Sequence, residues 1–400
     1  MSVPTAQAQG GRLIWLLGAL VAFGPLSIDL YLPALPAIAE GLAATPEAVQ
    51  ASITVFLAGF AVGMLFYGPI SDRLGRRPVM LTGIALFALA SLACLLAASV
   101  EQLVAARLAQ ALGGGAASVL ARAVVRDVYA PTEAIRNLSL MAMVTAIAPL
   151  LAPLLGSGLL AVFGWRGTFG AVLLWGVLSF AVVWRQLPET LPPARRGQLP
   201  LAAAFAAYGR LALDPYAVGL LLAGGMSFAA MFAYITGSPF YFIELHGWAP
   251  ASYSLLFASN ALGIFAANFI NSRLVRQRGA ASLAGIGCAA ALIGGVVLAG
   301  ASEWPQAGWA VMPALFVVVS MTGLLGANCV GLLMTRYPQN AGAAAALFGS
   351  AQFGFGMWAS AAVGYFHDGS GRPMAWVILA TTLASMLGYL IYRAAARRAA

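Results

Sequence analysis

Polar residues interrupt this chain at near-regular intervals. Between them lie twelve apolar runs, at about 13–38, 48–70, 79–98, 102–127, 137–162, 167–185, 214–243, 251–273, 280–301, 308–335, 342–365 and 374–392. Each run is close to the length that crosses ~30 Å of hydrocarbon as a helix rising 1.5 Å per residue. The pattern predicts an all-α polytopic membrane protein of twelve transmembrane helices. Residues 12–30 have the outline of a signal peptide, but the run continues through Asp29, Pro33 and Pro36 without a small-residue cleavage site, which predicts a retained helix. The longest polar stretch, 185–213, contains PETLPPARRGQLP and reads as a linker between two six-helix halves. The expected division is therefore 1–185 for the N-terminal bundle, 186–213 for the linker and 214–400 for the C-terminal bundle.

Composition agrees with a bilayer as solvent: 62% of residues are hydrophobic, 8% are charged, and the mean hydropathy is +0.89. The net charge of +9 does not point to nucleic acid, because the basic residues are spaced between the apolar runs rather than bunched. All 21 of them are arginine. With the N-terminus in the cytoplasm, every one except Arg107, Arg166 and Arg372 falls on a cytoplasmic segment, while Glu40, Glu47, Glu101, Glu244, Glu303 and Asp368 fall in the opposite loops. This asymmetry predicts cytoplasmic termini. Cys94, Cys288 and Cys329 each lie inside an apolar run and read as packing residues.

The halves carry a trace of duplication. GPISDRLGRR at 68–77 and NFINSRLVRQ at 268–277 share Arg73, Leu74 and Arg76 with Arg273, Leu274 and Arg276 at an offset of 200. Repeats of this kind mark transporters that rock two bundles about a midplane site. The loop GPISDRLGRRP, 68–78, resembles the signature G-x-x-x-D-R-x-G-R-[RK] of the major facilitator superfamily, at its expected place between the second and third helices. IDLYLPALP at 28–36, RLAQALGGG at 107–115, APLLAPLLGSG at 148–158 and YITGSPFYF at 234–242 resemble the Bcr/CflA branch of multidrug efflux proteins. Ala148 and Ser157 depart from the glycines usual in the fifth-helix motif.

That resemblance implies drug/proton antiport across a bacterial inner membrane. Cargo would be bicyclomycin, chloramphenicol or similar small amphipathic drugs, driven by the proton gradient without a cofactor, by a monomer. A proton-coupled importer or metabolite exporter of the same fold is the alternative.

One carboxylate, Asp29, lies deep in an apolar run. A charged acid there costs roughly 2.5–3.5 kcal/mol on insertion scales, so it must face a cavity, find a cation or take up a proton. Arg107 is the basic residue inside a span and sits at a similar depth, which makes it the expected partner of Asp29 in proton coupling. Relatives also imply a charge cluster that latches one state, carried here by Asp72, Arg76 and Asp127, with Asp72 facing the start of the eleventh helix. Gly68 and Gly75 should permit close approach and a tight turn, and Arg73 and Arg77 complete the loop. Pro149 and Pro153 should bend the fifth helix. Tyr31, Phe232, Tyr234, Phe240, Tyr241, Asn260, Asn268, Asn328 and Gln352 are the candidate cargo contacts, since aromatic faces and amides accept flat amphipathic molecules. His246 and His367 read as solvated loop residues. No catalytic triad, metal-ligand spacing or phosphate loop is present, which argues against an enzyme or direct ATP use.

Overall fold

The structure, a computed structural model, describes residues 10–197, 201–303 and 308–399. Residues 198–200 of the expected linker, and the side chains of Arg12 and Arg195, lie outside this description.

The first apolar run is broken. α1 (Gly10–Val21) and α2 (Phe23–Asp29) are followed by a 3-10 turn at Leu32–Ala34 and by α3 (Leu35–Gly41). Its parts, Leu13–Val21 and Phe23–Gly41, are bent by 43°. Pro25, Pro33 and Pro36 remove backbone donors along this stretch, which accounts for the breaks. Asp29 is the last residue of α2, so the acid sits beside a break rather than mid-helix.

Uninterrupted helices follow: α4 (Pro46–Leu74), α5 (Arg76–Leu96) and α6 (Val100–Val128). Thr45 and Ser99 cap α4 and α6 by accepting from the backbone N–H three residues on. α7 (Pro131–Gln186) is hydrogen-bonded throughout but turns at Gly164, whose φ of +66° and ψ of −175° separate the expected fifth and sixth spans. The second half comprises α9 (Pro215–Pro239), α10 (Pro250–Arg278), α11 (Ala280–Ala301), α12 (Gly308–Arg336), α13 (Ala341–Tyr365) and α14 (Arg372–Ala399). Pro239 ends α9 and a π-helical turn, Phe240–Leu245, continues it.

Among the described residues nine helices are long and apolar enough to cross a bilayer, ten when the bent first run counts as one. Dividing α7 at Gly164 and adding the Ala- and Gly-rich α13 yields the twelve expected spans. The linker differs from expectation. It contains α8 (Leu201–Leu213), which packs on α4 from the first half and on α9 and α13 from the second. Phe205 meets Phe66 at 5.2 Å, and the Tyr208 hydroxyl donates to the Leu65 carbonyl.

The duplication also has a different register. α4 and α10 are both 29 residues long, both begin with proline, and both end at a left-handed glycine, Gly75 (φ +100°) and Gly279 (φ +76°). Equivalent positions are therefore 204 apart rather than 200. The Arg73/Arg273 match reflects similar loop composition one helical turn out of register. The two halves meet chiefly where α4 lies on α13 and α7 lies on α10.

Candidate functional site

Arg107 of α6 is fully buried. Its guanidinium carbon lies 4.4 Å from the centroid of Tyr31 and 4.2 Å from that of Phe56, with Phe169 at 5.9 Å. Nη1 donates to the Ser27 carbonyl at 3.0 Å and to Gln110 Oε1. Gln110 donates in turn to Ser91 Oγ at 2.7 Å, and Ser91 to the Phe87 carbonyl. Nε and Nη2 have no partner, and among the described residues no carboxylate pairs with this cation. Rings therefore do the work of a counter-ion, each aromatic face offering a desolvated cation roughly 0.5–2 kcal/mol.

The expected Asp29–Arg107 pair does not form. Both groups are at similar depth, but Arg107 meets the first helix on the face of Ser27 and Tyr31, four residues apart. Asp29 lies between them at the end of α2, and its carboxyl is not among the partners of Arg107. Asp29 is 4% exposed and makes no hydrogen bond or ion pair among the described residues. Across the divide it interacts electrostatically, without contact, with the hydroxyls of Tyr234 on α9 and Tyr253 on α10. The 3-10 turn that follows Asp29 packs on both of those helices.

Around this point the second half is polar. Tyr234 stacks on Phe257 at 5.7 Å, and Ser238 Oγ and the Tyr253 hydroxyl are 3.0 Å apart. The Tyr234 hydroxyl and both ends of the Asn260 amide are buried without a hydrogen bond, as is the Gln50 amide on α4. Native structures leave few such groups unpaired.

Other cargo candidates divide. Phe232 belongs to an aromatic surface between the halves: Phe60 of α4 lies 4.7 Å from Phe353 of α13, and Phe353 lies 5.2 Å from Phe228, which is 4.9 Å from Phe232. Phe60, Phe228 and Phe353 were not anticipated from sequence. Apolar runs place aromatics on lipid and on an interface alike, so no periodic signal marks them. Phe240 and Tyr241 lie away from Asp29, lining a cavity of about 310 Å³ at the end of the molecule opposite the linker. Tyr31 is sealed beneath Arg107 and bonded to Ser52 Oγ.

Asn328 does not fit a cargo role. Its Nδ2 donates to Asn271 Oδ1 at 2.7 Å and to the Leu324 carbonyl, so its donors are consumed in joining α10 to α12. Asn268 packs against Gly323 of α12 in the same interface. Gln352, half-buried on α13, lies close to Gly326 of α12.

At the linker end the arginine cluster is assembled. Arg76 is bound by Asp72 Oδ1 at 2.6 Å and by Asp127 Oδ2 at 2.8 Å, and it also donates to Ser71. Sequence reasoning missed Glu189. Its carboxylate accepts from the backbone N–H of Arg76 at 2.9 Å and of Arg77 at 3.3 Å, capping the N-terminus of α5, and pairs with Arg196 at 3.5 Å. The anion at a helix N-terminus is thus Glu189 at α5, not Asp72 at the eleventh helix, α13; Asp72 is engaged by Arg76 and its carbonyl by the N–H of Gly197. Gly75 has the left-handed backbone the turn needs, and a Cβ there would lie 2.3 Å from the Glu189 carboxylate. Gly68 does not serve close approach, because nothing lies within 4 Å of where its Cβ would be. The close approach belongs to Gly156, where a Cβ would fall 1.9 Å from the Leu30 carbonyl. Arg73 is exposed with no ion pair, whereas Arg77 donates to the Trp184 carbonyl.

At the opposite end the halves are closed on each other. Ser360 of α13 bonds both Thr54 of α4 and Thr236 of α9, at 2.9 Å each. Ser254 of α10 donates to the carbonyl of Pro153, also at 2.9 Å, and Pro149 is half-buried one turn earlier. The histidines are less solvated than expected: His367 lies 3.8 Å from Glu47 across the divide, and the His246 ring meets the Tyr241 carbonyl.

Known proteins resemble this chain throughout. The family profile of the Major Facilitator Superfamily matches residues 16–361. A Bicyclomycin resistance protein homolog from Haemophilus influenzae is 30% identical over 375 residues, 93% of this chain and 94% of that one. A Chloramphenicol resistance protein from Pseudomonas aeruginosa is 33% identical over 301 residues, 73% of this chain and 68% of that one. Among solved structures, a bacterial homolog of the lysosomal transporter Spinster superposes with a TM-score of 0.74 at 17% identity, covering 99% of this chain and 98% of that one. A D-xylose-proton symporter superposes at 0.73 with 18% identity, covering 97% of each.

Proposed function

Since this chain belongs to the major facilitator superfamily, we propose that it exports small amphipathic drugs in exchange for protons. Alternating access would expose one site first to the cytoplasm and then to the far side of a bacterial inner membrane, with both termini cytoplasmic and the monomer as the working unit. The observation that carries this is Asp29. It is a buried carboxyl whose following turn packs on the second half, unpaired with any cation among the described residues, on the same broken segment whose Gly24 meets Phe60 of an aromatic surface drawn from both halves. An acid so placed exists cheaply only when protonated or when wetted, so its charge state and the state of the cleft are tied together.

Drug would lie against Phe60, Phe228, Phe232 and Phe353, which present flat faces and no opposing charge. Arg107 acts by holding α2, α4 and α6 together through Ser27, Phe56 and Tyr31, which fixes the rim from which Asp29 projects. At the cytoplasmic end, Asp72, Arg76 and Asp127 form a latch within the first half, buttressed by Glu189. Bicyclomycin- and chloramphenicol-type resistance in the two relatives supports this choice of cargo.

Expression in an efflux-deficient bacterium should raise resistance to some members of a panel containing both drugs. Asp29→Asn should abolish that resistance and drug-driven proton release in proteoliposomes. Full proton release from Asp29→Asn protein would exclude Asp29 as the carrier.

A further inference from the structure

Asp29 must also lose its proton while the end opposite the linker is shut, and Arg107 is not placed to help. Loss means that the carboxyl O–H bond breaks, the proton leaves on water, and a carboxylate remains in a site 4% exposed. The charged and titratable groups around it can be named. On its own side are Tyr31, whose hydroxyl is bonded to Ser52, and Arg107, committed to Ser27 and Gln110. α7 carries no titratable residue between 137 and 165. Across the divide stand Tyr234 and Tyr253, and Tyr253 is already held by Ser238. What remains is the Tyr234 hydroxyl and the Asn260 amide, both buried and near enough to interact with each other, yet outside hydrogen-bonding geometry with any partner among the described residues.

Two such groups, on the helices that pack against the turn following Asp29, are costly unless they serve a state in which they are used; each unmet group costs about 1–3 kcal/mol. We propose that Tyr234 and Asn260 are positioning residues for the proton, donating from the second half to deprotonated Asp29, directly or through one trapped water. The acid and its donors lie on opposite bundles. The charge state of Asp29 is therefore coupled to how the two bundles pack on each other. Tyr234 and Asn260 then serve the proton, not the drug contact that sequence alone assigned to them. This rests on Asp29 being the proton carrier.

The test is the pH profile of drug-triggered proton release in proteoliposomes containing Tyr234→Phe or Asn260→Leu protein. Removing one donor to a charged group should move the midpoint about one pH unit toward alkaline, tenfold in proton activity, because the carboxylate loses a partner. KM for the drug should be unchanged. Tyr234→Phe removes a single oxygen and keeps the stack on Phe257, so it decides the matter even where Asn260→Leu fails to fold. An unmoved midpoint overturns the proposal, and a raised drug KM with that unmoved midpoint returns these residues to cargo contact. Asp29→Asn separates the two levels. If it still releases protons, the carrier assignment itself fails; if it is silent while Tyr234→Phe keeps the wild-type profile, only the donor role falls.

Discussion

Arg107→Lys distinguishes a cation held by rings from a cation held by a carboxylate. Lysine keeps the charge but replaces a flat, weakly hydrated guanidinium that stacks on rings with a compact, strongly hydrated ammonium that does not stack and costs more to desolvate. The faces in question are Tyr31 at 4.4 Å and Phe56 at 4.2 Å. Losing the better part of two desolvated cation–π contacts, together with one of the hydrogen bonds to Ser27 and Gln110, should cost about 2–3 kcal/mol, a factor of ~30–150. The cost falls on the packing of α2 against α6, so it should appear as a lower denaturation midpoint of the purified protein and as weaker transport at every drug concentration. Unfolding in detergent, followed by tryptophan fluorescence, gives the first, and proteoliposome efflux gives the second. Arg107→Lys indistinguishable from the parent, with Arg107→Gln inactive, would refute this account. Charge alone would then matter, and Arg107 would have to be the counter-ion of Asp29 after all.

Two further predictions follow from contacts that only the coordinates reveal. Glu189→Gln removes a full negative charge from the N-terminus of α5 and the pair with Arg196; it should lower stability by about 1 kcal/mol, given partial exposure and solvent screening, read as a shift in denaturant midpoint that shrinks at high salt. Gly156→Ala should abolish transport, since the new methyl would overlap the Leu30 carbonyl beside Asp29, whereas Gly68→Ala, with open space around it, should transport normally; reversed results would place the critical close approach in the signature loop instead.

Depth along a helix could be read from sequence, and azimuth could not. Counting residues placed Asp29 and Arg107 at the same level, and the Arg107–Ser27 bond agrees. The breaks at Pro25 and Pro33 left the facing direction of Asp29 open, because a helical wheel cannot be carried through them. Charged motifs close in sequence fared better: Asp72 and Arg76 sit one turn apart, so their pairing is a local matter, and Asp127 follows from the resemblance. Glu189 is not legible in the sequence because an acid in a Pro-flanked stretch looks like spacer; the neighbouring arginines of the linker are the one signal that it is held. Asn328 shows the limit of residue chemistry: an amide in a span serves equally to bind cargo or to tie two helices together, and only its partner Asn271 decides which.

The chemistry of the closed end explains why one proton could govern it. The named polar contacts between the halves there are hydroxyl bonds, from Ser360 to Thr54 and from Ser254 to the Pro153 carbonyl, with a loose His367–Glu47 pair. Neutral bonds of this kind contribute about 0.5–1.5 kcal/mol each, and an exposed ion pair less than about 1. Within the first half the ties are charged and bidentate-like, Arg76 between two carboxylates. The polar ties of the first half are thus stronger than those across the seam. The polar part of that seam, a few kcal/mol in all, lies within reach of a single titration, since each pH unit is worth about 1.4 kcal/mol to the group that titrates. Had the seam been fastened by buried ion pairs, no single carboxyl could have opened it.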